Sequence, residues 1–324
     1  MEKPIAVLGA GAWGTALALV LAKNHHEVYL WEFDRAHYDY MLEKRASKFL
    51  PDHHFPKNLI PQHDLSETMK AVNDVLVVVP SHVFEITLQS MKPHWRDEMC
   101  LAWATKGLIP PNDLASKGVD AILGKKTLKA VITGPTFANE VASEIPSAVL
   151  VASENKEFAK RWHAYLSNAY MHVEMGDDLV GAQISGVVKN VLAIAVGMSD
   201  GLGFGANTRA AIMTRGLQEM IHLGVVMGAK TETFITVGGV GDLILTCTDN
   251  QSRNRRFGLA LGEGQSLEQA QKTVGLLVEG YHNTHALFVL SQQQKIRVPI
   301  IERMYEVLTG VLSPAEAIRS WWQA

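Results

Sequence analysis

The run Ile5-Ala-Val-Leu-Gly9-Ala-Gly11-Ala-Trp13-Gly14, followed at once by the apolar Thr15-Ala-Leu-Ala-Leu-Val-Leu-Ala22, decides the fold. Four apolar residues suit a buried strand, and the stretch after the last glycine suits a helix. Between them, Gly9, Gly11 and Gly14 stand at G-x-G-x-x-G spacing. Such glycines permit a sharp turn, let backbone amides approach a pyrophosphate, and allow close packing of helix on strand. The spacing alone is weak. Set between a strand and a helix, with a second strand-like run at Val28–Trp31, it reads as a dinucleotide-binding opening. The competing reading is a packing turn that holds no nucleotide. Pro4 to Ala22 is also 19 residues without a charge, the length of a membrane span. Three glycines break that run, no basic segment precedes it, and Lys23 follows, so the chain is expected to be cytoplasmic and not an integral membrane protein.

Outward from this opening, strand-like runs recur at Val75–Val79, Met99–Ala104, Lys129–Thr133, Ala148–Ala152 and Tyr170–Val173, with helical patterns such as Glu157–Ser167 between them. Alternation of this kind predicts a parallel sheet covered on both faces. After Gly176-Asp-Asp178 strand signals become scarce. Helical patterns follow at Leu179–Met198, Ala206–Met227, Ser266–Thr273, Glu279–Gln293, Pro299–Thr309 and Pro314–Trp322. The expected fold is therefore α/β: a Rossmann-type doubly wound sheet over residues 1–178 and an all-α domain over residues 179–324.

Composition narrows the function. Of 324 residues, 47% are hydrophobic, which suits a globular chain with two cores. Thirty basic residues against 33 acidic ones give a net charge of −3, and so no basic face for nucleic acid. Cys100 and Cys247 stand far apart, and none of the 13 histidines, His53, His82, His282 and His285 among them, has metal-ligand spacing with credible partners. No metal is expected. The terminal Trp321-Trp322 pair suits an interface cover, which one sequence leaves open.

Candidate chemistry gathers at a few positions. Glu32 ends the second strand, 18 residues after Gly14, where an acidic residue bonds the adenosine ribose hydroxyls and repels a 2′-phosphate. Arg35 is placed to offset that repulsion, so the cofactor is NAD or NADP. Other strands end in Pro80-Ser-His82, Thr105-Lys106-Gly107 and Gly134-Pro-Thr136, and Lys106 is the cation among them. Lys189 is the sole charged residue within Leu179–Ser199, with Ala182, Ser185, Gly186 and Ala193 on its helical face. Burial would lower its pKa and allow proton exchange near neutral pH. The bland reading is a lysine snorkelling out of a packed helix. Asp242, in Gly238-Gly-Val-Gly-Asp242, is the carboxylate suited to hold that lysine, or else a helix N-cap; the roles are compatible. Thr248-Asp-Asn-Gln-Ser-Arg-Asn-Arg-Arg-Phe-Gly258 reads as one short turn crowded with anion-facing donors, suited to a phosphate.

These motifs, in the order GAGAWGTALA, VVVPSHVF, WATKGL, ITGPTFANE, SGVVKNVLAIAVGMSDGLGFGANTRAA, GVGDLILTCTDNQSRNRRFG and LVEGYHNT, resemble the bacterial NAD(P)-dependent glycerol-3-phosphate dehydrogenases over nearly the whole chain. The resemblance implies reversible hydride transfer between NAD(P)H and dihydroxyacetone phosphate, giving sn-glycerol 3-phosphate for glycerophospholipid synthesis, in a homodimer. By motif it implies Lys189 as general acid/base with Asp242 beside it, and Lys106 stabilising charge on the substrate oxygen. It implies Ser252, Arg253 and Asn254 on the substrate phosphate, and Gly134 and Thr136 lining the substrate site. Trp13, Phe33, Lys106, Ala138, Arg253, Leu277 and Glu279 fall where the family contacts the cofactor. At Trp31-Glu-Phe-Asp34 the chain departs from the family, which carries a glycine in place of Glu32 and a basic residue in place of Phe33. That departure weighs against the NADP preference usual in bacterial members. Two other readings stand beside this one: another two-domain dehydrogenase acting on a small hydroxy acid, and a non-catalytic nucleotide-sensing module.

Overall fold

A computed structural model describes residues 3–275 and 278–321. The chain divides into two compact units, Met1–Thr105 with Ala115–Leu179, and Lys106–Leu114 with Val180–Ala324.

The first unit alternates β1 (Ile5–Leu8), α1 (Ala12–Lys23), β2 (Val28–Trp31), α2 (Arg35–Lys44), β3 (Leu59–Gln62), α3 (Leu65–Ala71), β4 (Asp74–Val77), α4 (Ser81–Met91), β5 (Cys100–Trp103), α5 (Ala115–Ile122), β6 (Lys129–Thr133), α6 (Ala138–Ala142), β7 (Ser147–Ala152), α7 (Lys156–Leu166) and β8 (Met171–Gly176). The strands form one sheet in the order β3-β2-β1-β4-β5-β6-β7-β8. Strands β1, β4 and β5 are buried along their whole length, as apolar strands with helices on both faces must be. The sheet is mixed rather than wholly parallel, because β6 and β7 run antiparallel while every other pair is parallel. Alternation of apolar runs carries no information about strand direction, so the sequence could not show this reversal. Strand order reverses between β1 and β4, and Leu8 there pairs with both Trp31 and Val77. Gly9, Glu32 and Val78 therefore leave the sheet side by side at its carboxyl edge, the position of a ligand crevice in such sheets.

The second unit is built on α8 (Leu179–Gly201), with α9 (Ala206–Val226), α10 (Asp242–Thr248), α11 (Arg253–Gly262), α12 (Leu267–Val274), α13 (Glu279–Gln294), α14 (Pro299–Leu308) and α15 (Pro314–Ser320). Helix α8 is long and apolar enough to cross a membrane, yet 94% of its most apolar window is buried within the fold. It is the unit's central core helix, largely apolar because neighbours surround it. Helix α11 lies hard against it. A Cβ on Gly197 would meet the Arg255 carbonyl oxygen at 2.0 Å, and one on Gly258 would meet the Ile194 carbonyl oxygen at 2.0 Å. Only glycine at both positions lets the two backbones approach this closely. Trp321 is buried in this core, while Trp322 lies outside the described residues.

Candidate active site

In the first unit, the turn after β1 is built for an anion. Gly9 has φ +110°, and a Cβ there would lie 2.5 Å from the Val78 carbonyl oxygen. A Cβ on Gly14 would lie 1.9 Å from the Gly9 carbonyl oxygen, whereas a Cβ on Gly11 would project into open space. No side chain caps α1 at Gly11. The first-turn amides, which lack intrahelical acceptors, and the positive end of the helix dipole therefore face a cradle kept clear at Gly11. This fits a dinucleotide pyrophosphate. Trp13 is half-buried, and its indole Nε1 is buried without a partner.

Glu32 and Phe33 follow β2 on the same edge. Phe33 is 79% exposed. The Glu32 carboxylate accepts from the Asp34 amide at 2.9 Å and from His37 Nδ1 at 3.1 Å. Burial alone would raise its pKa, but these donors outweigh it and hold the carboxyl below its ordinary value. Gly134, after β6, has φ +156°, and Thr136 Oγ1 donates to its carbonyl at 3.1 Å. Ala138 opens α6.

The second unit holds the amines. Lys189, midway along α8, is 6% exposed, and Asp242 is 1% exposed. Lys189 Nζ donates to Asp242 Oδ1 at 2.6 Å and to Thr246 Oγ1 at 2.9 Å. Lys106 Nζ reaches the other oxygen, Asp242 Oδ2, at 2.8 Å. One buried carboxylate thus lies between two ammonium groups. Burial lowers the Lys189 pKa to about 8, with Asp242 opposing the shift and Lys106 adding to it. Burial alone would raise the Asp242 pKa, but the two lysines hold it below the ordinary value. Lys189 is therefore an amine able to trade its proton near neutral pH, oriented by a carboxylate that stays charged. Asp242 is the first residue of α10, after a π-helical turn at Val237–Gly241, and Gly241 occupies the cap without a side-chain bond.

Helix α11 arranges the polar stretch differently from a short turn. Ser252 is its N-cap, accepting from the Arg255 amide at 3.2 Å. Arg253 is exposed at the first helical position. Asn254 is buried: its Nδ2 donates to Asn190 Oδ1 at 2.9 Å, and its Oδ1 accepts from the Gly280 amide at 2.9 Å. That side chain ties α11 to the residue beside Lys189. Arg255 faces inward, where Nη2 pairs with Asp200 Oδ2 at 2.5 Å, Nε donates to the Cys247 carbonyl at 3.0 Å, and Nη1 bonds Asn250. Two residues along a helix turn a side chain through about 200°. Hence Arg253 and Arg255 cannot both face one anion. Arg256, three after Arg253, shares its face, and its Nε is buried without a partner.

Lys106, Lys189 and Asp242 thus meet within the second unit, with Ser252, Arg253, Asn254 and Glu279 at the openings of α11 and α13. Gly9, Gly11, Trp13, Gly14, Glu32, Phe33, Gly134, Thr136 and Ala138 belong to the first unit. Leu277 lies outside the described residues. Sequence reasoning missed Thr246 and the Asp200–Arg255 pair. The signal for Thr246 was its spacing, four after Asp242 on one helical face. Among the described residues, no group of three or more His, Cys, Asp or Glu side chains is placed to hold a metal ion.

The sequence matches the NAD-dependent glycerol-3-phosphate dehydrogenase N-terminus over residues 4–159 and the C-terminus over residues 178–319. It is 49% identical over 305 residues to glycerol-3-phosphate dehydrogenase [NAD(P)+] of Aliivibrio fischeri, covering 93% of this chain and 89% of that protein. The enzyme of that name from Edwardsiella ictaluri is 49% identical over 307 residues, with 94% and 91% covered. The crystal structure of glycerol-3-phosphate dehydrogenase from Coxiella burnetii superposes with a TM-score of 0.96 at 44% identity, over 100% of this chain and 99% of that one. The chain belongs to the NAD-dependent glycerol-3-phosphate dehydrogenase family.

Proposed function

We propose that this protein reversibly reduces dihydroxyacetone phosphate to sn-glycerol 3-phosphate with NADH or NADPH. In this reading residues 1–178 form the dinucleotide-binding domain and residues 179–324 the helical substrate and catalytic domain. The observation that carries it is a buried lysine, Lys189, whose proton is labile near neutral pH and whose partner carboxylate is shared with a second lysine, Lys106.

A bound nicotinamide would supply the hydride to C2 of the ketone. Reduction builds negative charge on the ketone oxygen, and the protein's task is to place a cation and a proton there. Lys189 Nζ delivers the proton, and in the reverse direction takes it back. Lys106 stabilises the developing charge more than the neutral ketone, which lowers the barrier and not merely the ground state. Asp242 holds both amines and keeps Lys189 from drifting into unproductive rotamers. The phosphate, remote from the reacting carbon, is assigned to Arg253 with Ser252 and the opening turn of α11, and Gly134 and Thr136 to the substrate site. Because the Asn254 side chain is committed to Asn190 and Gly280, its contribution to the phosphate is its backbone amide in that first turn. Trp13, Phe33, Ala138, Leu277 and Glu279 are assigned to the cofactor by the family's motifs. A cytoplasmic homodimer supplying glycerophospholipid synthesis completes the reading.

The test follows NADH and NADPH oxidation with dihydroxyacetone phosphate, with unphosphorylated dihydroxyacetone and small hydroxy or keto acids as controls. Turnover confined to the phosphorylated ketone supports the proposal. No turnover with either cofactor refutes it, and activity on unphosphorylated acids would reassign the substrate.

A further inference from the structure

The buried histidine of α2 is unused by the reaction, yet it lies behind Glu32, the carboxylate that follows β2 at the nucleotide edge. His37 is 1% exposed. Its Nδ1 donates to Glu32 Oε2 at 3.1 Å, and its Nε2 lies 3.1 Å from Ser47 Oγ. Ser47, fully buried, lies 3.2 Å from the Ala10 carbonyl oxygen inside the glycine turn. The edge of Phe49 packs against the imidazole with ring centroids 5.1 Å apart, which fixes the ring plane. Glu32 is thus locked to α2 and, through Ser47, to the pyrophosphate turn.

The neighbouring cations are already spent on other carboxylates. Arg35 pairs with Asp39 at 3.0 Å, and Lys48 pairs with Asp34 at 3.2 Å. Phe33, the residue beside Glu32, offers an exposed aromatic face and no charge. A carboxylate at the end of the second strand of such a sheet bonds the adenosine ribose hydroxyls. A 2′-phosphate at that point would meet a fixed negative charge and cations that must first leave their partners.

Resting on the reading of the first unit as a nicotinamide-dinucleotide site, we propose that Glu32, held by His37 as its positioning residue, makes this protein select NADH and exclude NADPH. The discrimination depends on rigidity: a free glutamate would swing into solvent and let a 2′-phosphate pass. His37 therefore contributes to selectivity only through Glu32.

Calorimetric titration of the full chain with NADH and with NADPH, at one pH and salt, tests this without turnover. The wild type is expected to bind NADPH at least about 10-fold more weakly, the scale of a close like-charge contact. Glu32→Gln should bring the two Kd values together. His37→Ala should weaken NADH and narrow the ratio, whereas in the Glu32→Gln background it should change the ratio no further. Equal or tighter NADPH binding by the wild type overturns the proposal, as does an unchanged ratio in Glu32→Gln. Should His37→Ala narrow the ratio equally in both backgrounds, its role is not exerted through Glu32 and that assignment falls. If His37→Ala does not fold, the Glu32→Gln ratio still decides the selectivity. Normal Kd values with no reduction of dihydroxyacetone phosphate would sink the reaction assigned above and leave this inference standing.

Discussion

Lys189 is the residue on which the proposed chemistry turns, and its surroundings state what its loss should do. Truncation to alanine removes the proposed proton donor and leaves Asp242 paired with Lys106. Lys189→Ala should lower kcat by at least about 10²-fold, the scale of a positioned acid–base group. NADH affinity should hardly change, since the amine is assigned to the substrate oxygen and not to the cofactor. Steady-state kinetics with a parallel cofactor titration read both quantities, and an unaltered kcat would move the acid elsewhere. Arg253 is the exposed cation at the start of α11, whereas Arg255 is buried against Asp200. Arg253→Ala is expected chiefly to raise KM for the phosphorylated substrate; an unchanged KM would place the phosphate at other donors. Lys189 and Asp242 were legible because a charge in an apolar helix and a carboxylate after glycines need explaining. Arg255 was not, because composition alone cannot tell an arginine that faces a ligand from one that faces Asp200.

At the scale of elements, the crossing of α8 and α11 brings Asn254 against Asn190 and so fixes the opening of α11 near Lys189. Gly258→Ala puts a methyl into the Ile194 carbonyl, and backbone cannot step aside as a flexible side chain can. A loss of about 1–3 kcal/mol is expected from overpacking, measured as a lower midpoint in denaturant, together with a weakened kcat/KM. In an uncrowded helix the same change would stabilise by up to about 1 kcal/mol, so a raised midpoint would contradict the close crossing. Sequence patterns marked α1, α7, α8, α9, α12 to α15 and the strands other than β3, but did not single out α2 to α6, α10 or α11. Leu59-Ile-Pro61-Gln contains a proline, which argues against a central strand; β3 is an edge strand, where a missing amide is tolerated. In α11 the crowd of polar residues obscured a helix whose real marker was Ser252, its N-cap.

Across the whole molecule, each unit encloses its own core, and the second carries a pH-sensitive support far from the chemistry in sequence. Glu219 of α9 accepts from the Ile300 amide at 2.8 Å and the Ile301 amide at 3.4 Å, so it caps α14. Burial raises its pKa from 4.5 to about 7, with Glu302 adding to the rise and the two amides pulling against it. A carboxyl raised in the folded state binds more protons than in the unfolded chain. Its contribution is full below about pH 4.5 and is lost as pH rises to about 7, on the order of 3 kcal/mol in total. Glu219→Gln should therefore flatten the decline in melting temperature between pH 5 and pH 8 relative to the wild type; parallel curves would contradict this. The change of character after residue 178 is a feature of long windows, a switch from strand-rich to helical patterning. The grouping of Lys106–Leu114 with the helical unit was not readable, because it rests on contacts distant in sequence.

The most direct test of the account is the pH dependence of kcat/KM for dihydroxyacetone phosphate reduction at saturating NADH. A buried Lys189 acting as proton donor predicts a rate that holds below about pH 8 and falls about tenfold per unit above it. A profile that stays level to pH 10, in enzyme shown to remain folded and cofactor-bound, would contradict it.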